Sequence, residues 1–540
     1  MRRAIAETIL MTCAGWLAPA QSPEAPPKFP AADVRVSSKT ANPSVRPGLA
    51  SGGRYEVQTA TMVDLIELAY GFDSDKVLGG PSWLEMDRFD VIAKLPPDST
   101  PDTRKLMLQS LLQDRFKLVL HRDTKPLPTY VLTAGRKPQL KEAAAPEEPA
   151  CKLQTASGPM AAGGRRIIMG NPNGSTTTLN LGPGMTIRYL CRNISMAAFA
   201  AGLRGMMSLS LGSNPVLDET RLKGNWNFDL EYSLQTAGPA TDSPGDRISI
   251  FDAVDKQLGL KLQEKPVPMP VLVVDSVNRQ PTANPPGVAE ALPPVPLPTA
   301  FEVASVKPAA PAMVSNFQIQ PGGRLIVSNM PLRTLIARAF NAIYNYDELA
   351  GLPEWAKTDR FDIVAKAPPG ASLDAETVLP MIRALLADRF KMAYHTEERP
   401  VSAYALLAAK PKMKKADPAS RTFCKNAIAP PGAPPGSLVL TCQNIAMAQL
   451  ADRLKNMAPE LNWPVPDSTG IQGGWDFTLT YSMRPMTVPQ AAGDVPSASE
   501  PVGGYTLFEA LEKQLGLKLE KQKRTMPVIV IDRFEKPTEN

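Results

Sequence analysis

The chain has 540 residues, 43% hydrophobic and 21% charged, with a net charge of only +6. That balance excludes a disordered polyampholyte, a coiled coil and a polytopic membrane protein, and it lacks the dense basic face of a nucleic-acid binder. Its 56 prolines are about twice the usual share, and only two histidines in so long a chain argue against a histidine-rich metal enzyme. At about 150 residues per domain, two to four domains are expected.

The N-terminus has the order of an export signal over residues 1–20. Arg2 and Arg3 precede the apolar run Ile9 to Leu17, and Ala18-Pro19-Ala20 fits a small-x-small cleavage site. Cleavage before Cys13, as in a lipoprotein, is the alternative, but Met11 and Thr12 fit it poorly. No later stretch holds about 20 uninterrupted apolar residues, so no spanning helix is expected.

From there the pattern reads α+β. Tyr55 to Gln58 is a strand and Met62 to Tyr70 an amphipathic helix. Phe89 to Ala93 is a strand and Arg104 to Leu112 a helix. Phe116 to Leu120 and Tyr130 to Thr133 suit the arms of a hairpin across Pro126 and Pro128. A second series follows, with strand Thr186 to Tyr189, helix Met196 to Leu203, strand Trp226 to Tyr232 and helix Ile250 to Gln257. Leu260 to Leu262 and Val271 to Val274 form its closing pair. The series therefore reads twice as strand-helix-strand-helix-hairpin, which suggests a pseudo-duplicated unit with mainly antiparallel sheets and short packed helices.

The whole pattern then recurs. Gly52-Gly53-Arg54 returns as Gly322-Gly323-Arg324, and Pro81-Ser82-Trp83 as Pro353-Glu354-Trp355. Asp87-Arg88-Phe89-Asp90 returns as Asp359-Arg360-Phe361-Asp362, Leu111 to Lys117 as Leu385 to Lys391, and Lys256 to Leu262 as Lys513 to Leu519. The chain divides into a first copy (29–284), a proline-rich linker (285–300) and a second copy (301–540). The linker holds six prolines and no aromatic residue, so it reads as an extended spacer. Each copy is long enough to bury its own core.

Four cysteines remain beyond Cys13, two per copy. Pairing within copies, Cys151–Cys191 and Cys424–Cys442, is the economical connectivity, and pairing across copies stays open. No C-x-x-C or nearby histidine supports a redox or metal pair.

His121 and His395 occupy the same repeat position and are the candidate catalytic residues. Alternation puts each on the solvent side of its strand beside Lys117 or Lys391. One reading is an exposed strand residue. The sharper one is a general base, with Asp123 nearby in the first copy and Glu397 in the second. Asp-Arg-Phe occurs four times, from Asp87, Asp114, Asp359 and Asp388. Its Phe residues suit the core, and structural use of its Arg residues outweighs anion binding by Arg88 or Arg115. Trp83, Trp355, Trp226 and Trp475 suit core anchors. Phosphate-loop, nucleophile-elbow, zincin, Rossmann and EF-hand motifs are missing from the sequence, so no cofactor and no metal are expected.

Three sets of residues resemble a known family: Phe301-Glu302-Val303-Ala304-Ser305-Val306-Lys307-Pro308; Trp355 with Asp359 to Asp362 and Leu385 to Lys391; and Phe508-Glu509-Ala510-Leu511 with Gln514 to Leu517 and Val530-Ile531-Asp532. It is the exported domain of unknown function expanded in Solibacter-type soil acidobacteria. The first copy departs from it with Asp33-Val34-Arg35-Val36-Ser37 at its start and Glu219-Thr220-Arg221 where the second keeps Ser468-Thr469-Gly470. Some members of that family are appended to membrane metallopeptidases of the β-lactam-sensor type. The resemblance implies an extracytoplasmic sensing or interaction role and carries over no catalytic residue. The expected function is thus a non-enzymatic exported protein, periplasmic or extracellular, that binds a protein or envelope ligand; the alternative is an extracytoplasmic hydrolase using His121 or His395.

Overall fold

The computed structural model describes residues 26–38, 45–51, 53–143, 148–154, 165–170, 176–181, 186–206, 214–233, 248–293, 298–309, 315–320, 322–340, 349–369, 373, 377–428, 437–454, 457, 461, 465–482 and 505–537. The export signal lies outside these residues. No helix among them is long and apolar enough to cross a membrane.

In the first module, β1 (Ala32–Val36), β2 (Arg46–Ser51), β3 (Arg54–Thr61) and β5 (Arg88–Lys94) form one antiparallel sheet in the order β1-β5-β3-β2. Helices α1 (Met62–Tyr70) and α2 (Pro101–Phe116) belong to the same half. The α1 helix starts where Thr61 and Asp64 make a reciprocal capping box, buries Met62, Val63, Leu65, Ile66 and Ala69, and stops at Gly71 in the left-handed region (φ 70°). The second half has a sheet and two helices of its own. Strands β7 (Lys141–Glu142), β8 (Ala150–Leu153), β11 (Thr186–Ser195) and β13 (Asn225–Ser233) pair in the order β7-β13-β11-β8, with helices α3 (Met196–Met206) and α4 (Ile250–Leu258). The strands β9 (Arg165–Gly170) and β10 (Thr176–Leu181) form a separate antiparallel pair.

The expected hairpins do not form. Residues 119–134 are one strand, β6 (Val119–Ala134), and residues 260–276 are another, β14 (Leu260–Ser276); they pair with each other along their whole length. Proline placement explains why the strands continue unbroken. The Tyr130 N–H donates outward to Pro215 O (2.9 Å), so Pro126 and Pro128, on the same side of the strand, direct their missing N–H outward as well. They stand opposite Pro268 and Pro266. Flanking strands pair only with the ribbon's far portions: β12 (Val216–Asp218) with Tyr130 to Leu132, and β4 (Val77–Gly79) with Leu272 to Val274, both parallel.

This ribbon ties the two halves together. The first-half core, with Phe89 and Phe116, is completed by Leu272 and Val274 from β14, while the second-half core, with Phe199 and Leu230, takes in Leu132 from β6. The second module repeats the plan. Strands β15 (Val303–Pro308), β16 (Asn316–Gln320), β17 (Arg324–Pro331) and β19 (Arg360–Lys366) form its first sheet, with α6 (Leu332–Ala339), α7 (Glu354–Thr358) and α8 (Val378–Arg389). Strands β21 (Lys414–Lys415), β22 (Phe423–Ile428), β23 (Ser437–Ile445) and β24 (Trp475–Ser482) form its second, with α9 (Met447–Leu454) and α10 (Leu507–Ala510). The ribbon is β20 (Ala393–Ala408) with β25 (Leu517–Arg533), flanked by β18 (Leu349–Ala350).

One device recurs four times. Thr59, Asn193, Asn329 and Asn444 have φ of 53°, 49°, 50° and 50°, each at a register shift between adjacent strands and shortly before a helix. The neighbouring strand supplies an acceptor for each bulged N–H: Asp90 Oδ1 (2.9 Å), Asn227 Oδ1 (2.7 Å), Asp362 Oδ1 (2.7 Å) and Asp476 Oδ1 (2.8 Å). In the first sheet of each module the motif arginine takes the bulge carbonyl as well, Arg88 Nη1 donating to Thr59 O (2.5 Å) and Arg360 Nη1 to Asn329 O (2.9 Å). The Asp-Arg-Phe-Asp run is therefore a clamp on a strained backbone turn. Asp362→Ala should cost about 1–3 kcal/mol by stranding that N–H. Asp362→Asn should cost clearly less, because Asn227 does the same work in the second sheet. Urea denaturation of both variants checks this.

The linker also departs from the extended spacer expected of its composition. Residues 285–292 turn into the short helix α5 (Val288–Ala291), and Val288 and Leu292 are buried. Just before it, the buried Arg115 donates to Thr282 O (2.5 Å), Asn284 Oδ1 (2.6 Å) and Ala32 O (3.3 Å). Val288 and Leu292, four residues apart, together with these hydrogen bonds anchor a segment that prolines would otherwise keep extended.

Candidate functional site

The ribbon positions both histidines. His121, Asp123 and Lys125 alternate along β6 and so share a face; His395, Glu397 and Arg399 do the same on β20. Each histidine has an orienting carboxylate, but from the opposite strand. His121 Nδ1 lies 2.9 Å from both carboxylate oxygens of Asp275, and His395 Nδ1 lies 2.9 and 3.0 Å from those of Asp532. Both aspartates sit where the ribbon register shifts by one residue, which lets an otherwise out-of-step side chain reach the imidazole.

The anticipated partners have other roles. Asp123 bonds Lys125 (2.7 Å) and accepts the Thr124 N–H (2.7 Å). Glu397 pairs with Arg399 (2.7 Å) and lies 3.8 Å from His395 Nε2. The His–Asp pairing escaped the sequence reading because its partners are 154 and 137 residues apart. The signal was present: both copies carry an Asp near the end of their last strand in the same repeat register, Val274-Asp275 and Ile531-Asp532.

The electrostatics follow from these contacts. The hydrogen bond from Lys125 holds the Asp123 carboxyl below its usual range, and that from Arg399 does the same for Glu397. The hydrogen bond to Asp532 raises the His395 imidazole above the ordinary histidine value, and the charges of Asp532 and Glu397 act in the same direction. A raised folded-state value makes the pair favour the folded state below the ordinary value near 6.5, a contribution lost as pH rises through the raised one. Imidazole NMR titration should show His395 above the ordinary value and return it toward that value in Asp532→Asn. No downward move in the variant would refute the pairing.

The side chains are open to water, with His121 and Asp275 51% and 42% exposed and His395 and Asp532 50% and 46%. The geometry fixes imidazole orientation on an open face; general-base chemistry would further require a substrate or nucleophile within about 3 Å. No cluster of three metal-ligating side chains occurs among the described residues.

The other singled-out residues are structural. Cys151–Cys191 and Cys424–Cys442 form disulfides within each module, joining directly opposed residues of β8 and β11 and of β22 and β23. Arg88 and Arg115 spend their donors on protein acceptors, chiefly backbone carbonyls, which leaves the anion-binding reading without support. Trp83, Trp355, Trp226 and Trp475 pack against the four main cores.

No curated protein and no solved structure matches the chain. The family described as "Protein of unknown function (DUF3738)" matches residues 63–277 and again residues 333–534, one match per module. The matched stretches hold both ribbons, both His–Asp pairs and two of the four bulges, at Asn193 and Asn444. The chain thus belongs to the DUF3738 family, as two tandem copies of its domain.

Proposed function

We propose that the chain is an exported, non-enzymatic binding protein of the cell envelope, and that the paired ribbon stripes are its binding surface. The observation that carries this reading is the duplication of one exposed pattern. Histidine, carboxylate and cation recur in order as His121-Asp123-Lys125 and His395-Glu397-Arg399, although Arg122 and Thr124 between them become Thr396 and Glu398. Two disulfides suit an oxidising compartment, and two linked stripes raise apparent affinity through effective concentration. The hydrolase reading draws on the His–Asp pairs, which resemble the base and orienting acid of a nucleophilic site. Paired assays of wild type and His121→Ala/His395→Ala against native envelope separate the two. The binding reading expects retained envelope partners to be lost in the variant with no product formed by either protein. Product formed by wild type alone would establish the hydrolase.

Each module further reads as an old duplication of one half. Left-handed Lys117 and Gly259 both end a helix just before a ribbon strand, as do Lys391 and Gly516, and the four bulge clamps fall at equivalent places. Backbone superposition of residues 54–134 on 184–276 tests it; divergent strand paths would sink it.

A further inference from the structure

The two modules meet through a contact between unlike faces. From the loop before β22 of the second module, Arg421 donates to Val77 O and to the Glu85 carboxylate of the first, and the Thr422 N–H donates to Ser82 O (3.1 Å). The Arg421 side chain is only 12% exposed, and its ion pair with Glu85 crosses the contact. A contact of this kind is heterologous: the receiving face lies near β4 of one module, and the donating loop precedes the disulfide strand of the other.

Because the modules are homologous, each face exists twice. The second module's receiving face is Leu349 to Lys357, and the first module's donating loop runs from Glu148 to Cys151. The repeat alignment puts Lys357 at the place of Glu85 and Glu148 at the place of Arg421. Both charges are thus reversed relative to the contact formed within the chain. A second Arg421-type loop would be repelled by Lys357, whereas Glu148 complements it. Glu148 and Pro149 are exposed, and Lys357 is 39% exposed, paired on its own short helix with the 89% exposed Glu354.

We propose that the chain assembles head to tail with further copies of itself. The Glu148 loop of one copy docks on the Lys357 face of the next, continuing the contact that Arg421 and Glu85 make within each copy. The reversed charges give the joint its direction, because they disfavour an Arg421 loop on a Lys357 face and a Glu148 loop on a Glu85 face. Pro149 replaces Thr422 and cannot donate to the carbonyl of Glu354, so the joint between copies is weaker than that within them and forms with concentration. A heterologous contact yields head-to-tail chains or rings of copies, not a twofold dimer.

Sedimentation velocity across a concentration series at low ionic strength tests this. Wild type should shift progressively to larger species and revert at high salt, as screening weakens exposed charges. Lys357→Glu and Glu148→Lys should each abolish the shift while far-UV circular dichroism stays unchanged, and the double variant, with the charges exchanged, should recover it. A wild type that remains monomeric, a closed dimer insensitive to Lys357→Glu, or a double variant that fails to recover association would each overturn the proposal.

Discussion

Phe390→Ala is expected to destabilise the second module by about 3–5 kcal/mol, the range for truncating a fully buried aromatic. Phe390 is completely buried, meets Phe361 edge-on at 5.2 Å and stacks on Phe534 at 5.4 Å, and Phe534 in turn stacks on Trp355 at 5.5 Å. Its removal opens a cavity between helix α8, strand β19 and the C-terminal segment together. Phe116 fills the same place in the first module, edge-on to Phe89 at 4.9 Å. Exposed Asp388, in the same triplet, should change stability by less than about 0.5 kcal/mol when replaced by Ala. Urea midpoints for Phe390→Ala and Asp388→Ala side by side would show whether the triplet is a core motif with a surface cap. Equal effects would contradict that.

Loss of the disulfides ranks next. The Cys151–Cys191 bridge spans 40 residues and Cys424–Cys442 spans 18. On loop-closure entropy, removal of either costs about 3–4 kcal/mol. Each bridge holds an edge strand, β8 or β22, to the sheet behind it, so the loss should be local before it is global. Cys151→Ala/Cys191→Ala should lower the first module's urea midpoint and release amide protection in β8 first. Unchanged midpoints on reduction would mean that the backbone pairing alone holds these edges.

Much of this architecture is written locally. The α1 helix spans the residues its apolar spacing predicts, because the Thr61–Asp64 box and Gly71 mark both ends within a few residues. The strands at Phe89 and Trp226 show the same local legibility through alternation. What stayed hidden depends on distance or on unusual residues. The first module's ribbon joins segments more than 120 residues apart, and its prolines looked like turn signals because nothing local shows which edge their missing N–H faces. The four left-handed bulges use Thr and Asn instead of Gly, so no glycine announced them. The candidate site was half legible: repeat register singled out His121 and His395, while their partners Asp275 and Asp532 needed the cross-strand pairing to be known.

The binding function proposed for the chain requires the two ribbon stripes to act together. The most direct measurement is retention by native envelope of wild type, of His121→Ala, of His395→Ala and of the double variant, at matched concentration and with matching circular dichroism. Two cooperating stripes predict that either single variant loses most of the retention, down to the affinity of one module, and that the double variant loses all of it. Equal retention by all four proteins would contradict the account.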